Sequence, residues 1–563
     1  MSVIASADSV AEMLEKYFDT AFSAPEGIKK LRELILTLAM QGKLVPQDPN
    51  DQPASELLKE IEAEKQRLVK EGKIKKQKPL PPIKPEEMPY DLPQGWEWVR
   101  LGNIGLINPR NVAEDSVISG FVPMILIPEG YSEKLQYEVR KWGDIKKGYT
   151  HLANGDIGMA KITPCFENAK SCVFSDLPNG IGAGTTELHI FRNLYNSVDP
   201  RFLLYYLKNP KYISSAALKM TGSAGQKRIP TPYFSSQLFP LPPFSEQHRT
   251  VAKIDQLMAR CDELEKLREE REKKQITVHT SAIKELLDAK SEQSLADAWQ
   301  FLKRNFNELY SVKENVTELR KAILQLAVMG KLVPQDPNDP PASELLKEIE
   351  AEKQRLLKEG KIKKQKPLPP IKPEEVPYEL PQGWEWVRFG NLVQVLNGRA
   401  FKQNELLESG IPVLRVGNLF TSNKWYYSDL VLDEDKYIEK GDLIYAWSAS
   451  FGPFIWGGNR VIYHYHIWKV KFFIADFPEK KYLYNYLLEA TDRIKISDSG
   501  IAMLYMTKNG IEKMIVPVPP FSEQYRIVVK IDQLMALCDL LERHIEASGD
   551  KQDKLLNAIM VNV

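Results

Sequence analysis

The chain has 563 residues, 43% of them hydrophobic, with 76 basic side chains against 75 acidic ones. That length exceeds one hydrophobic core and points to roughly three or four domains. No apolar run approaches the roughly 20 residues that span a bilayer, no charged-then-apolar leader opens the chain, and a formal charge of +1 does not by itself advertise a nucleic-acid binder.

The first predicted element is a helix over 28–40, where Ile28, Leu31, Leu34, Ile35 and Leu38 recur at helical spacing and Gly42 stops it. Pro53 opens a second, charged amphipathic helix that closes near Gly72 and reads as solvated. Lys73 to Ile83 follow as a basic, proline-rich, extended tether. Its four lysines within six residues suit phosphate contacts and a soluble linker equally. Residues 101–239 read as β-rich, with short runs such as Phe121 to Ile127, Ile157 to Ile162 and Leu188 to Phe191 between turn residues, then a helix over Arg201 to Leu207.

A long helix is expected next, with Ser245 as N-cap. Val251, Ile254, Met258 and Cys261 step along it in the pattern of a coiled-coil seam. Such helices, of roughly 30–40 residues, reach roughly 45–60 Å. This one is expected to run on through 281–310 into a second opening helix over 316–329, stopped by Gly330.

From there the order repeats. Lys43 to Arg100 recur as Lys331 to Arg388, and over those 58 positions only four differ. Pro240 to Arg249 recur as Pro517 to Arg526, and Val528, Ile531, Met535 and Cys538 repeat the seam, with Cys261 and Cys538 as matching small core residues. Between these markers lie inserts 101–239 and 389–516, of 139 and 128 residues, which share only sparse points such as Gly155-Asp156 against Gly441-Asp442. In the second insert, strands are expected over Val413 to Val416, Leu443 to Trp447 and Val461 to Val470, and a helix over Lys481 to Leu488. A fixed frame around two divergent inserts suggests one scaffold presenting two different recognition surfaces. Recent duplication with drift is the bland alternative, but drift blurs frame and insert alike.

Catalytic patterns are not evident. Gly42-Lys43 and Gly330-Lys331 precede Leu, and lack the earlier glycine of a phosphate-binding loop. Pro242-Pro243-Phe244 and Pro519-Pro520-Phe521 follow Leu241 and Val518, which cannot accept the amine hydrogen bond that amino-methyltransferases need. His464 and His466 are expected on one face of a strand, but no third metal ligand is suggested nearby. The four cysteines fall in no metal spacing, and a disulfide framework does not suit this size.

At Leu92-Pro-Gln-Gly-Trp-Glu-Trp98 and its copy 380–386, which open the inserts, and at Pro-Pro-Phe-Ser-Glu-Gln, which closes each, the chain resembles the type I restriction–modification specificity subunits. The resemblance implies an α+β fold with two β-rich target-recognition domains, each with a small helix. Long antiparallel helices would separate them as a coiled-coil spacer, in a pseudo-two-fold internal repeat. The chain then divides into a conserved helical region with tether (1–92), recognition domain one (93–243), central helices with the second tether (244–380), recognition domain two (381–520) and a C-terminal helix (521–563). It also implies a non-catalytic, cytoplasmic subunit that reads a bipartite, asymmetric double-stranded DNA site. Two modification subunits would methylate adenine with S-adenosylmethionine, and restriction subunits would add ATP- and Mg-dependent translocation and cutting. No metal, cofactor or membrane partner is expected on this chain. The other reading is a coiled-coil adaptor with two β-rich ligand-binding domains that do not act on DNA.

Insert one carries 15 basic and 11 acidic residues, insert two 15 and 14, so phosphate contacts must be clustered or shared with partners. Candidate DNA readers are polar and basic residues in glycine-rich loops. In insert one these are Lys161, Thr163, Asn168, Ser223, Gln226, Lys227 and Arg228. In insert two they are Asn397, Arg399, Lys402, Arg415, Asn418, Ser448, Ser450, Tyr505 and Lys508.

Overall fold

The computed structural model describes residues 24–131, 135–195, 197–223, 225–364, 366–448, 450–475, 478–496 and 507–561. The chain forms two compact units: residues through Glu270 together with Ala547–Val563, and Arg271–Glu546. Both divisions fall inside continuous helices, Phe244–Asp288 and Phe521–Val561.

In unit one the opening helix Gly27–Met40 buries Ile28, Leu34, Ile35 and Met40. Its partner is the start of the long helix: Val251, Ile254, Met258 and Cys261 share one core with Ile28 and Ile35. The two run antiparallel, because Arg32 bridges to Asp262 and Glu265, both at 2.7 Å, while the earlier Ala24 carbonyl accepts from Arg268 at 2.9 Å. Unit two repeats this with Lys313–Val328. Val528, Ile531 and Cys538 lie against Val316, Leu319 and Ile323, and Arg320 bridges to Asp539 and Glu542. Each seam is thus buried against the opening helix of its own unit, and that burial raises the Cys261 and Cys538 thiol pKa values.

The frame motifs bond to one another. Gly42 takes φ +67°, and a Cβ there would meet the Pro93 ring at 2.4 Å, so a glycine is required where the chain turns under the Leu-Pro-Gln-Gly-Trp segment. Trp96, buried, donates its indole N–H to Glu246 at 3.0 Å; Gln47 donates to the same carboxylate. Arg100 reaches back to the carbonyls of Pro81 and Pro82 and to Glu87, which anchors the far end of the tether. Strand β1 (Glu97–Arg100) pairs antiparallel with β10 (Leu238–Leu241), stapling the two ends of insert one together. Strands β11 (Glu385–Arg388) and β20 (Ile515–Val518) do the same for insert two.

Within insert one, strands β2 (Gly105–Ile107), β9 (Leu188–Asn193), β6 (Ile157–Ala160) and β7 (Ser171–Val173) form one sheet in that order. A second sheet runs β4 (Glu138–Lys141), β3 (Ile118–Val122), β8 (Ile181–Gly184), β5 (Thr150–Ala153), with β3 and β8 parallel. Insert two has the same plan. Its first sheet is β12 (Val393–Asn397), β19 (Ile467–Phe472), β16 (Leu443–Ser448) and β17 (Ser450–Ile455). Its second is β14 (Tyr426–Ser428), β13 (Ile411–Leu414), β18 (Val461–Tyr463) and β15 (Tyr437–Ile438). The fold is α+β, as expected, although each insert carries more than one helix, the longer ones being Pro200–Leu207, Pro210–Ala217 and Thr231–Ser236 in the first, Lys480–Ile496 and Lys508–Lys513 in the second.

Three local expectations are corrected. The helix does not run through 281–310: it stops at Asp288, and Ser291 caps a new helix, Glu292–Arg304, through the backbone N–H of Ser294. The long helix starts at Phe244, one residue before Ser245, with Gln247 N–H already bonded to the Pro243 carbonyl. Residues 461–470 are not one strand. The chain leaves one sheet at Tyr463 and joins the other at Ile467, so His464 and His466 lie in the turn between.

Candidate nucleic-acid interface

The staple of β11 and β20 sets one end of insert two as its base, and β12 leaves from there through the short helix Phe389–Leu392. The opposite end is a rim. Asn397 pairs with Trp468, Leu414 with Tyr463, Ala446 with Ile467 and Ser448 with Ser450, so β12, β13, β16 and β18 all finish there. Insert one has the matching rim, since Val122 pairs with Gly184 and Ala160 with Leu188.

On rim one, Lys161 and Thr163 follow β6 directly. The segment 225–229 docks onto them: Thr163 N–H bonds the Lys227 carbonyl at 3.0 Å and Ile229 N–H the Lys161 carbonyl at 2.8 Å. The Thr163 hydroxyl accepts from Lys227 N–H at 3.2 Å. Arg228 forks onto Glu187, both bonds 2.9 Å, and this pairing holds the Glu187 carboxyl below the usual carboxylate range. Arg228 is therefore a strut of the loop. Ser223, Gln226 and Lys227 are exposed on its outer side. Asn168, in the turn after β6, bonds Glu129 at 3.3 Å. Lys208, which sequence reasoning passed over, is buried and donates to the carbonyls of Glu129 and Ala169, tying two rim loops together. Its one signal in sequence is a lysine closing the apolar helix Pro200–Leu207.

On rim two the structure brings Asn397, Arg399, Arg415, Asn418, Ser448 and Ser450 to one end of the insert. Arg399 bonds Glu405 at 2.7 Å; the backbone N–H of Lys402, then Arg399, hold that carboxyl below its ordinary range. Lys402 itself is exposed. The Asn418 amide is spent on the Ser422 and Lys424 carbonyls. The Asn397 carbonyl accepts from Lys436 at 3.0 Å. Lys508 lies elsewhere, in the helix against Phe389–Leu392 at the base, 3.6 Å from Glu512. Tyr505 lies outside the described residues. The turn His464–His466, considered in sequence only as a metal pair, sits on rim two beside Arg399, whose backbone brackets it. Among the described residues no group of three His, Cys, Asp or Glu side chains is placed to hold a metal ion, and no helix is long and apolar enough to cross a membrane.

Comparison with known proteins matches residues 93–274 and 381–548 to the type I restriction modification DNA specificity domain. The chain is 44% identical over 557 residues to the type I restriction enzyme EcoAI specificity subunit of Escherichia coli, covering 95% of this chain and 93% of that protein. It is 40% identical over 570 residues to the EcoEI specificity subunit of the same organism, with the same coverage. The crystal structure of the HsdS subunit from Thermoanaerobacter tengcongensis aligns at 20% identity and a TM-score of 0.45, over 84% of this chain and 97% of that one.

Proposed function

The chain belongs to the family of type I restriction–modification DNA specificity subunits, and from that premise we propose that each insert reads one half of a split, asymmetric duplex site through its rim. It is a sequence-specific DNA-recognition subunit that works within a complex and is itself non-catalytic. The adaptor reading is not favoured.

One observation carries the proposal: near-identical frames hold two inserts of the same strand order whose rims share almost no side chains. Base identity is legible mainly in the major groove, through paired donors and acceptors. Two rims with different donors and acceptors suit two different half-sites. Symmetric frames suit two copies of one partner, and on this reading two modification subunits supply S-adenosylmethionine-dependent adenine methylation. Restriction subunits supply ATP- and Mg-dependent cutting.

Exchanging residues 101–239 for the insert of another family member tests the division of labour. Mapping methylated adenines afterwards should show one half of the recognition sequence changed and the other kept. A change in both halves, or in neither, overturns it. The complex should also lose affinity steeply with salt, with a log–log slope of about −0.9 per phosphate neutralised.

A further inference from the structure

The side chains of rim two divide into those already bonded and those left open. Arg399 and Asn418 are bonded within the rim, and Tyr463 is buried with its hydroxyl on the Asp435 carbonyl at 2.8 Å. Arg415 differs. It is exposed, lies 5.2 Å from the centre of the Tyr426 ring, and its guanidinium makes no hydrogen bond or ion pair among the described residues.

Next to it stands the turn between β18 and β19. Tyr465 is 40% exposed, with ring centroids 4.4 Å from His464 and 4.0 Å from His466. The turn is braced from two sides. Arg399 N–H bonds the Tyr463 carbonyl and Tyr465 N–H bonds the Arg399 carbonyl, both at 3.0 Å. From the other side the Trp447 indole N–H bonds the Tyr465 carbonyl at 2.9 Å, and its ring stands edge-on to His466 at 5.0 Å. The whole constellation is a braced aromatic knuckle at the end of the insert away from the staple. The Arg415 guanidinium lies beside it, over the Tyr426 ring and without a hydrogen bond or ion pair among the described residues.

We propose that Arg415 and the His464–Tyr465–His466 turn are the base-reading element of insert two, engaging a guanine-containing step in the major groove. The proposal rests on the DNA-reading function above and names the residues that perform it. A free guanidinium fork matches the O6 and N7 acceptors of guanine. A neutral imidazole offers one donor and one acceptor to a neighbouring base edge. Burial, then for His464 the neighbouring His466, and for both the Arg415 charge, lower the two histidine pKa values and favour the neutral form. Tyr465 presents a flat apolar face suited to a thymine methyl. A brace that fixes the knuckle before binding lets these contacts discriminate among bases, since little ordering remains to be done on the DNA.

The test is selection from a randomised duplex library by the complex assembled with its modification subunits. Wild type should enrich a sequence with two informative blocks. Arg415→Ala, Tyr465→Ala and His466→Ala should each erode one block and leave the other intact, with discrimination at the guanine position falling roughly 5- to 150-fold for Arg415→Ala. Arg415→Lys, an exposed swap that keeps charge and loses the fork, should erode the same position with an unchanged unfolding midpoint. Full retention of both blocks by all four variants overturns the proposal while leaving the family function standing. A wild-type complex that enriches no block overturns the DNA-reading function itself.

Discussion

The two frames and the two inserts repeat different things. The frames repeat side chains and the bonds between them: Trp384 donates to Glu523 at 2.9 Å as Trp96 does to Glu246, and Arg526 pairs with Asp339 as Arg249 does with Asp51, both at 2.6 Å. The inserts repeat strand order and hardly any side chain. Their shared Gly-Asp turn is one exception, and it follows the frame's logic, as do Tyr206 and Tyr486, whose hydroxyls donate to the carbonyls of Leu238 and Ile515. Asp156 and Asp442 each accept a backbone N–H three residues earlier, from Ala153 and Glu439 at 2.7 Å, and each pairs with a cation on the neighbouring strand, Arg192 or Lys469. Side-chain identity persists between the copies where a partner inside the protein requires it, and runs free where the side chain faces solvent at a rim.

If that holds, matched substitutions in the two frames must cost the same. Trp96→Ala and Trp384→Ala remove buried indoles that make equivalent bonds, so each should destabilise its own unit by about 3–5 kcal/mol. Hydrogen-exchange protection in the two units measures this, and a cost confined to one copy breaks the equivalence. At one matched strand position the inserts should instead differ under acid, although insert two carries its own half-buried histidine, His464, with a pKa pushed down to about 4. His189, buried in β9 opposite Met159, stacks on Phe234 and donates to the Ile229 carbonyl at 2.8 Å. The same register position in insert two, opposite Tyr445, is Trp468, which cannot titrate. Burial pushes the His189 pKa down to about 4, from an ordinary 6.5. The unfolded chain therefore takes up the proton first. The stability His189 contributes is full above pH 6.5 and falls as pH drops toward 4, by about 3 kcal/mol. His189→Gln should remove that part of the acid sensitivity from unit one, and an unchanged pH profile would sink the claim. Smaller again, Gln247→Ala and Gln524→Ala should cost about 1–3 kcal/mol each. Their buried amides donate to the Pro242 and Pro519 carbonyls and accept from Asp199 and Glu479 N–H.

Much of this was legible in sequence because repetition and periodicity are local signals. Residues 54–70 and 342–358 form helices of equal length at equivalent positions, and the seam residues are buried except Met535, which is half-buried. The rims were legible only in composition. Arg228 and Arg399 read as free cations, yet Glu187, 41 positions before the first, and Glu405, six after the second, take up their guanidinium groups. Nothing in local pattern marks such a partner. The knuckle was hidden for the converse reason. Val461 to Val470 hold no Gly or Pro, so the run reads as one strand, and the break arises only because the chain changes sheets there.

The smallest expected stability change is also the sharpest test of the contrast between bonded and open side chains. Lys227 and Arg228 are adjacent on one loop, both basic, and differ sharply in what they touch. Lys227 is exposed, whereas Arg228 clamps the loop to Glu187. Lys227→Ala should leave the unfolding midpoint of unit one within about 0.5 kcal/mol of wild type. If Lys227 contacts a phosphate, affinity should fall for all sequences and the salt slope should shrink by about 1; if it reads a base, preference should be lost at one position only. Arg228→Ala should instead loosen the loop from 161–163, so that binding and exchange protection of Lys161 and Thr163 change together. Equal stability effects from the two substitutions would mean that the exposed side of the loop is as constrained as its bonded side, and the line drawn between frame and rim would have to move.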